Sequence, residues 1–192
     1  ASPLSRLNAA KGMATPLAQE QYERYFKTLT GDPTGNTPVH QTLATHWARV
    51  VELIYAAERT MELALDDEIT NPDIRAIPTE TPTEGIGSVE APRGTLTHHY
   101  ITDEQGVLQK VNLIVGTTNN HASISMSIKK AAQGLIHKGV DVTEGVLNKI
   151  EMAFRAYDPC FACATHSLPG QMPMVVRVRD VDGTVLTEAS RD

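Results

Sequence analysis

The sequence predicts a mainly α-helical fold with small β-hairpins, of the α+β class. One observation behind this is a helical pattern of apolar residues at 39–65 that no glycine or proline interrupts. The other two are runs rich in β-branched and aromatic residues, at 95–115 and 174–187, each divided by a turn signal. At 192 residues, the chain has the length of one domain or of a large piece of one.

Two helices are predicted in the first third of the chain. The first runs from about Pro16 to Leu29, with Thr15 as its N-cap and proline at its first position. The second runs from about Val39 to Leu65, and its length is typical of a helix that packs in the core. Its apolar residues follow three- and four-residue spacing: Leu43, Trp47, Val50, Val51, Ile54, Ala57, Met61 and Leu65.

A hairpin and two more helices are predicted after an acidic, proline-containing loop at 66–83. The predicted segments are strands at 95–100 and 107–115, and helices at 123–137 and 143–157. Pro159 disfavours continuation of the last helix.

The end of the chain differs in pattern from the rest. Leu168-Pro169-Gly170 predicts a linker, and Asp182-Gly183 predicts a turn between two short strands. Apolar residues alternate with others from Met174 onwards, as in a half-buried strand. We therefore expect a small hairpin appended to the helical body.

Composition narrows the class of protein. The net charge is −6 and basic residues are scattered, so no nucleic-acid partner is expected. No apolar run approaches the roughly 18 residues that a membrane span needs, and no signal peptide opens the chain. Two cysteines close in sequence cannot form a disulfide framework, so the cytoplasm is the expected location. Because the chain begins at Ala1 without an initiator methionine, we expect a fragment or a processed product.

The strongest chemical signal is the pair Cys160 and Cys163, the only cysteines, followed by His166. Thiolates at this spacing can hold one soft metal ion or a pair of ions. A thioredoxin-like redox pair needs a strand before the motif, and a c-type haem needs histidine directly after the second cysteine. A structural zinc site needs a fourth ligand, which His98 or His99 would have to supply. The remaining interpretation is a half-site that thiolates from elsewhere complete.

Separate segments carry a resemblance to a known family. Residues 158–166, with Asp158-Pro159-Cys160, Cys163 and His166, resemble the D-P-C-x-x-C-x-x-H signature of the nickel–iron hydrogenase large subunit. Glu90-Ala91-Pro92-Arg93-Gly94 resembles the family's E-A-P-R-G segment, and 115–120 stands where the family has a segment lining the metal pocket. The helix from His40 to Arg59 also resembles a family core helix. The resemblance implies the C-terminal part of that multihelical fold.

The resemblance covers only a portion of the large (alpha) subunit. The family's other C-x-x-C supplies two more thiolates, and this sequence has no third cysteine. We therefore expect 1–166 to be the C-terminal portion and 167–192 to be an extension that is removed on maturation. Arg155-Ala156-Tyr157 and Gln171-Met172-Pro173 resemble the soluble, cofactor-coupled branch. That branch includes NAD-linked, deazaflavin-linked and dye-reducing, deazaflavin-non-reducing enzymes, of which we favour the last.

The resemblance implies a nickel–iron centre whose iron carries carbon monoxide and cyanide. By position, Cys160 is a terminal nickel ligand and Cys163 bridges nickel and iron. His166 resembles the residue that binds magnesium or a further iron ion. Thiolates are soft, electron-rich donors that stabilise such metals, whereas an imidazole on magnesium rests on the resemblance alone.

Residues around the implied centre also take roles from the resemblance. Arg93 would place its guanidinium over the diatomic iron ligands, where a fixed positive charge and several donors suit cyanide. Thr117 would donate its hydroxyl to a second cyanide, or cap the following turn. Pro92 and Val115 would form the apolar wall around these ligands, or belong to the ordinary core.

The implied activity is reversible heterolytic cleavage of H2 into protons and electrons, with Cys160, Cys163 and Arg93 as catalytic residues. The implied partners are the N-terminal part of the same large chain, an iron–sulfur small subunit, further electron-transfer subunits, a maturation endopeptidase and nickel chaperones. The fragment alone is expected to be inactive and without the metals. The alternatives are a non-catalytic relative of the complex I quinone-site subunit, or a small zinc-binding module.

Overall fold

Five helices and two antiparallel sheets form the part of the chain that the structure describes, residues 2–137, 141–160, 162 and 174–191 of a computed structural model. The helices are α1 Pro3–Ala9, α2 Pro16–Thr30, α3 Ala44–Ala64, α4 His121–Leu135 and α5 Glu144–Arg155. The strands are β1 Glu84–Ala91, β2 Gly94–Thr102, β3 Leu108–Ile114, β4 Met174–Arg179 and β5 Val185–Arg191. Short 3₁₀ helices span Asp67–Thr70 and Gly116–Asn120. The predicted α+β class is confirmed.

The hydrophobic core lies between the first three helices. Its fully buried members are Leu7, Tyr22, Tyr25, Phe26, Val39, Ala48 and Val51. The ring centroids of Tyr22 and Phe26 lie 4.7 Å apart, and Trp47 meets Tyr25 edge-on at 5.4 Å. Such tilted and edge-on contacts are favoured by the quadrupoles of the rings. Tyr25 therefore joins α2 to α3, while the contact between Tyr22 and Phe26 lies within α2.

The start of α2 is capped from another helix. Pro16 is the first residue of α2, as predicted, but the Thr15 side chain makes no capping bond to the backbone. Its hydroxyl instead donates to Glu58 of α3 at 2.6 Å, and the same carboxylate accepts the backbone N–H groups of Leu17 and Ala18 at 3.0 and 2.9 Å. A carboxylate also suits the positive end of a helix. Glu58 thus supplies the cap that was predicted for Thr15.

These contacts make stability depend on pH. The hydrogen bond from Thr15, followed by those from Leu17 and Ala18, lowers the pKa of Glu58. A lowered pKa gives stability that is complete above the unfolded pKa and is lost as pH falls through the folded one. We expect Glu58→Gln to lower Tm at pH 7 by roughly 4 °C. The difference should shrink as the pH is lowered towards 3 in thermal unfolding followed by circular dichroism.

The matched control is Glu20→Gln, because Glu20 is an exposed residue of α2. It should change Tm at pH 7 by no more than about 1–2 °C. A Glu58→Gln variant that is destabilised equally at pH 7 and pH 3 would contradict the ionic cap.

The long helix starts later than predicted and is less buried. Val39 is held outside it because the Asn8 side chain accepts its N–H at 3.0 Å and donates to its C=O at 2.8 Å. Buried residues of α3 end at Val51, and Met61 and Leu65 are 63% and 80% exposed. The prediction of a core helix is therefore right for the first half of α3 and wrong for the second.

The predicted hairpin at 95–115 is confirmed as β2 and β3, but it belongs to a three-stranded sheet in the order β1-β2-β3. Strand β1 was not predicted, and it pairs antiparallel with β2 from Glu84↔Ile101 to Ala91↔Gly94. Both outer strands are open to solvent. Their exposed apolar side chains are Ile86, Val89, Leu108, Val111, Leu113 and Ile114.

Helices α4 and α5 and the C-terminal hairpin follow the predictions closely, whereas α1 was not predicted. Helix α4 packs against α5, and the hydroxyls of Ser127 and Tyr157 lie 3.0 Å apart. The C-terminal hairpin of β4 and β5 is antiparallel, and Arg177 and Glu188 form an ion pair across it at 2.6 Å. Among the described residues, each helix is too short or too polar to cross a bilayer.

Candidate metal centre

The two-residue turn between β1 and β2 presents Arg93. Ala91 pairs with Gly94, so Pro92 and Arg93 form the tip. Gly94 has a φ of 137°, a backbone conformation that favours glycine. The Arg93 side chain is 47% exposed and extends from this tip.

Side chains from distant elements hold the backbone of this turn. The Arg6 guanidinium of α1 donates to the carbonyls of Ala91 and Pro92, both at 3.0 Å. The Asn120 amide donates to the carbonyl of Arg93 at 2.9 Å. Three consecutive carbonyls, from 91 to 93, therefore accept side-chain hydrogen bonds.

The 3₁₀ helix Gly116–Asn120 packs directly on the turn. A Cβ at Gly116 would lie 3.1 Å from the Arg93 carbonyl carbon and 3.1 Å from the Gly94 nitrogen. These are backbone atoms, which cannot move aside as a flexible side chain does, so the close approach favours glycine here. Nothing in the sequence pattern singled out Gly116 beyond its place in the 115–120 segment.

Thr117 connects the 3₁₀ helix to the cysteine motif. It is 3% exposed, and its Oγ1 accepts the backbone N–H of Cys160 at 3.0 Å. A hydroxyl that accepts one hydrogen bond still has its own hydrogen to donate. Thr117 and Cys160, both predicted as site residues, are therefore in direct contact, although they lie 43 positions apart.

Asp158 joins the cysteine motif to Arg93. Its Oδ2 lies 3.1 Å from Arg93 Nε and 4.0 Å from Arg49 Nε. Arg49 of α3 also donates to the carbonyl of Ala156 at 3.0 Å. Asp158 has a φ of 52°, a left-handed conformation that is uncommon outside glycine and is found often at functional sites. Asp158 belongs to the predicted motif, but no role was predicted for its side chain.

Comparisons with known proteins identify the family of this chain. Residues 2–166 match the sequence model of the family described as nickel-dependent hydrogenase. The chain belongs to this family. It is 50% identical over 184 residues to a protein of Archaeoglobus profundus named as an iron-sulfur subunit of F420-non-reducing hydrogenase, covering 96% of this chain and 37% of that protein.

Other relatives give the same assignment. The chain is 43% identical over 191 residues to the NAD-reducing hydrogenase HoxS subunit beta of Cupriavidus necator, covering 98% of this chain and 38% of that protein. A crystal structure of NAD+-reducing [NiFe]-hydrogenase in the H2-reduced state superposes with a TM-score of 0.76 at 37% identity, covering 86% of this chain and 35% of that one. This chain thus spans somewhat more than a third of the length of these relatives.

The hydrogenase-family site is described only in part. Cys163 and His166 lie outside the described residues, and the described ones contain no group of three His, Cys, Asp or Glu side chains that could hold a metal ion. Pro92 is exposed and lines an apolar cleft of about 710 Å³ between α1 and α3, while Val115 is half-buried before the 3₁₀ helix. His98 and His99 contact Tyr100 and Glu84 within the sheet.

The described residues suit the metal group that this family implies. Thr117 accepts the backbone N–H of Cys160, and Arg93 contacts Asp158, two positions before that cysteine. When it is reduced to its thiolate, Cys160 is a soft metal ligand, and the Arg93 guanidinium and the Thr117 hydroxyl can donate hydrogen bonds to anionic ligands. The geometry therefore fits one side of a thiolate-held centre that carries anions.

Proposed function

We propose that this chain is the C-terminal portion of the large subunit of a nickel–iron hydrogenase and that the complete subunit catalyses reversible cleavage of H2 to protons and electrons. The observation that carries the proposal is the joining of three family segments in space. Thr117 contacts Cys160, and Arg93 contacts Asp158 of the same motif. These contacts link segments that are far apart in the sequence.

In this proposal Cys160 would hold nickel, Cys163 would hold nickel and iron, and His166 would hold magnesium or iron. The nickel–iron centre, with carbon monoxide and cyanide on iron, supplies the heterolytic cleavage when it is bound. Cys160 can take up the proton at its sulfur, because a thiolate is basic as well as soft.

Two further side chains serve the ligands of the iron. Arg93 provides a fixed positive charge and directional donors, and Asp158 orients it through the 3.1 Å contact at Nε. The Thr117 hydroxyl accepts the backbone N–H of Cys160 and would donate its own hydrogen to a cyanide. Pro92 and Val115 would form part of the apolar wall around these ligands.

The proposed partners are the N-terminal part of the large subunit, an iron–sulfur small subunit, and further electron-transfer subunits. The relative named as NAD-reducing supports a cofactor-coupled, cytoplasmic enzyme, since its name specifies a soluble electron carrier. A maturation endopeptidase and nickel chaperones are the further proposed partners.

We also propose that 167–192 is an extension that is removed on maturation. The match to the family ends at His166, the motif histidine, which supports this boundary. Mass spectrometry of the active subunit from its source tests it. A mature chain that ends at His166 is expected, and one that retains β4 and β5 would contradict the proposal.

The test of function compares the 192-residue chain with the complete large subunit, each produced with the maturation proteins and the small subunit. We expect nickel, iron and H2-dependent dye reduction in the complete assembly only, because this chain holds two of the four thiolates. Metal analysis decides the alternatives. One zinc ion per chain, or no metal in the complete assembly, would refute the hydrogenase proposal.

A further inference from the structure

Arg6 of α1 lies 85 positions from Ala91 in the sequence and contacts the turn that carries Arg93. We propose that Arg6, held by Glu52, is a positioning residue that fixes the direction of the Arg93 guanidinium. The contacts of Arg6 are present in this chain itself. Only the role of the Arg93 guanidinium at a metal centre rests on the proposed function.

The Arg6 guanidinium pairs with the Glu52 carboxylate and also donates hydrogen bonds to the turn between β1 and β2. Its Nε and Nη2 each lie 2.6 Å from an oxygen of Glu52, which is the paired geometry that arginine forms with a carboxylate. Its Nη1 and Nη2 donate to the carbonyls of Ala91 and Pro92. The hydrogen bond to Glu52 raises the pKa of Arg6, so the guanidinium remains charged.

The buried position makes this arrangement rigid. The Arg6 and Glu52 side chains are only 13% and 23% exposed, and Glu90 at 3.7 Å adds a second negative charge. An ion pair that is largely shielded from water is screened little by salt. The Arg6–Glu52 ion pair therefore links α1, α3 and the turn between β1 and β2.

The contacts fix both peptide planes that flank the Cα atom of Arg93. The Pro92 carbonyl belongs to the plane before it, and Arg6 holds that oxygen. The Arg93 carbonyl belongs to the plane after it, and Asn120 holds that one. Because a peptide unit is planar, a hydrogen bond at its oxygen also restrains the orientation of its N–H group. Only the side-chain torsions of Arg93 remain free, and Asp158 restrains those at Nε.

Lysine cannot replace Arg6 in this role. An ammonium group lacks the planar fork that reaches a carboxylate and two carbonyls at once. In the complete subunit we expect Arg6→Lys to keep nickel and iron but to lower turnover roughly 10- to 100-fold, as loss of a supporting residue around a metal site does. The infrared bands of the cyanide ligands should shift, because the donor from Arg93 moves.

A second readout needs no metal. In hydrogen–deuterium exchange on the 192-residue chain, peptides that contain Arg93 and Gly94 should exchange faster in Arg6→Lys than in the wild type. Glu52→Gln keeps Arg6 but removes the charge of its carboxylate partner, so it should increase exchange at the turn by a smaller amount. Arg59→Lys, which alters an exposed ion pair with Glu62 on α3, is the matched control and should leave exchange and turnover unchanged.

The outcomes separate the two proposals. Unchanged exchange at the turn in Arg6→Lys, or unchanged cyanide bands with turnover within about twofold of wild type, would overturn the role of Arg6. A wild-type assembly without nickel, iron and these bands would refute the hydrogenase proposal instead. The exchange result would then still decide whether Arg6 fixes the turn. If Arg6→Lys does not fold, Glu52→Gln is measured in its place with the same criteria.

Discussion

Replacement of Arg93 by glutamine is expected to lower the rate of H2-dependent dye reduction by about 100- to 1000-fold in the complete enzyme. Glutamine retains an amide group that can donate hydrogen bonds, but it removes the positive charge and the 3.1 Å ion pair with Asp158. Arg93→Lys keeps the charge without the fork and should be intermediate. Nickel and iron contents are measured on the same samples, and both should match the wild type.

Arg59→Gln is the control for this experiment, since Arg59 forms an exposed ion pair on α3. Its turnover should be unchanged. A loss of less than tenfold in Arg93→Gln, with metals in place, would contradict the proposed electrostatic role. Loss of nickel and iron from the variant would assign Arg93 to assembly of the centre instead.

The largest expected effect on stability comes from Phe26→Ala. Phe26 is fully buried and its ring touches both Tyr22 and Tyr25. The substitution leaves a cavity where α2 meets the rest of the core and should cost about 3–5 kcal/mol. That corresponds to a Tm at least about 6 °C lower in calorimetry of the 192-residue chain.

Two variants on α2 bracket this result. Leu17→Ala removes a side chain that is 58% exposed and should cost less than about 0.5 kcal/mol. Tyr25→Phe removes a buried hydroxyl that has no hydrogen-bond partner among the described residues, so it should be neutral or stabilising. A Phe26→Ala variant as stable as Leu17→Ala would show that the three helices do not share one core.

The helices were predictable because their signals are local. Pro16 and Gly31 bound α2, and the apolar spacing of α3 persists over several turns. The start of α3 was not predictable, since Asn8 takes both backbone groups of Val39 from a distance of 31 positions. Helix α1, with seven residues, is too short to give a periodic pattern.

Strand β1 was missed for a different reason. It contains Gly85 and Gly87, and glycine is depleted in strands. Nearly all of its side chains are exposed, so its sequence carries no alternation of apolar and polar residues. Pairing with β2, rather than any preference of its own, makes this segment a strand.

The site was predictable as a set of motifs but not as a set of contacts. Sequence resemblance named Arg93, Thr117 and Cys160, and the structure brings their segments together, while their catalytic roles stay predictions. The supports Arg6, Glu52 and Asn120 were not predicted. Arg6 and Glu52 belong to no recognised motif, and Asn120 ends the 115–120 segment without a role predicted for it. Only the folded backbone brings these side chains to the turn.

The open three-stranded sheet has a practical consequence for work on the separate chain. Strands β1 and β3 are both unprotected edges, and the run Val111 to Ile114 presents exposed apolar side chains. Unpaired edges of this kind are templates for pairing between molecules, and short apolar segments with little charge favour ordered aggregation. Colloidal association at this sheet, rather than melting of the helical core, is therefore expected to limit the concentration and shelf life of the purified chain.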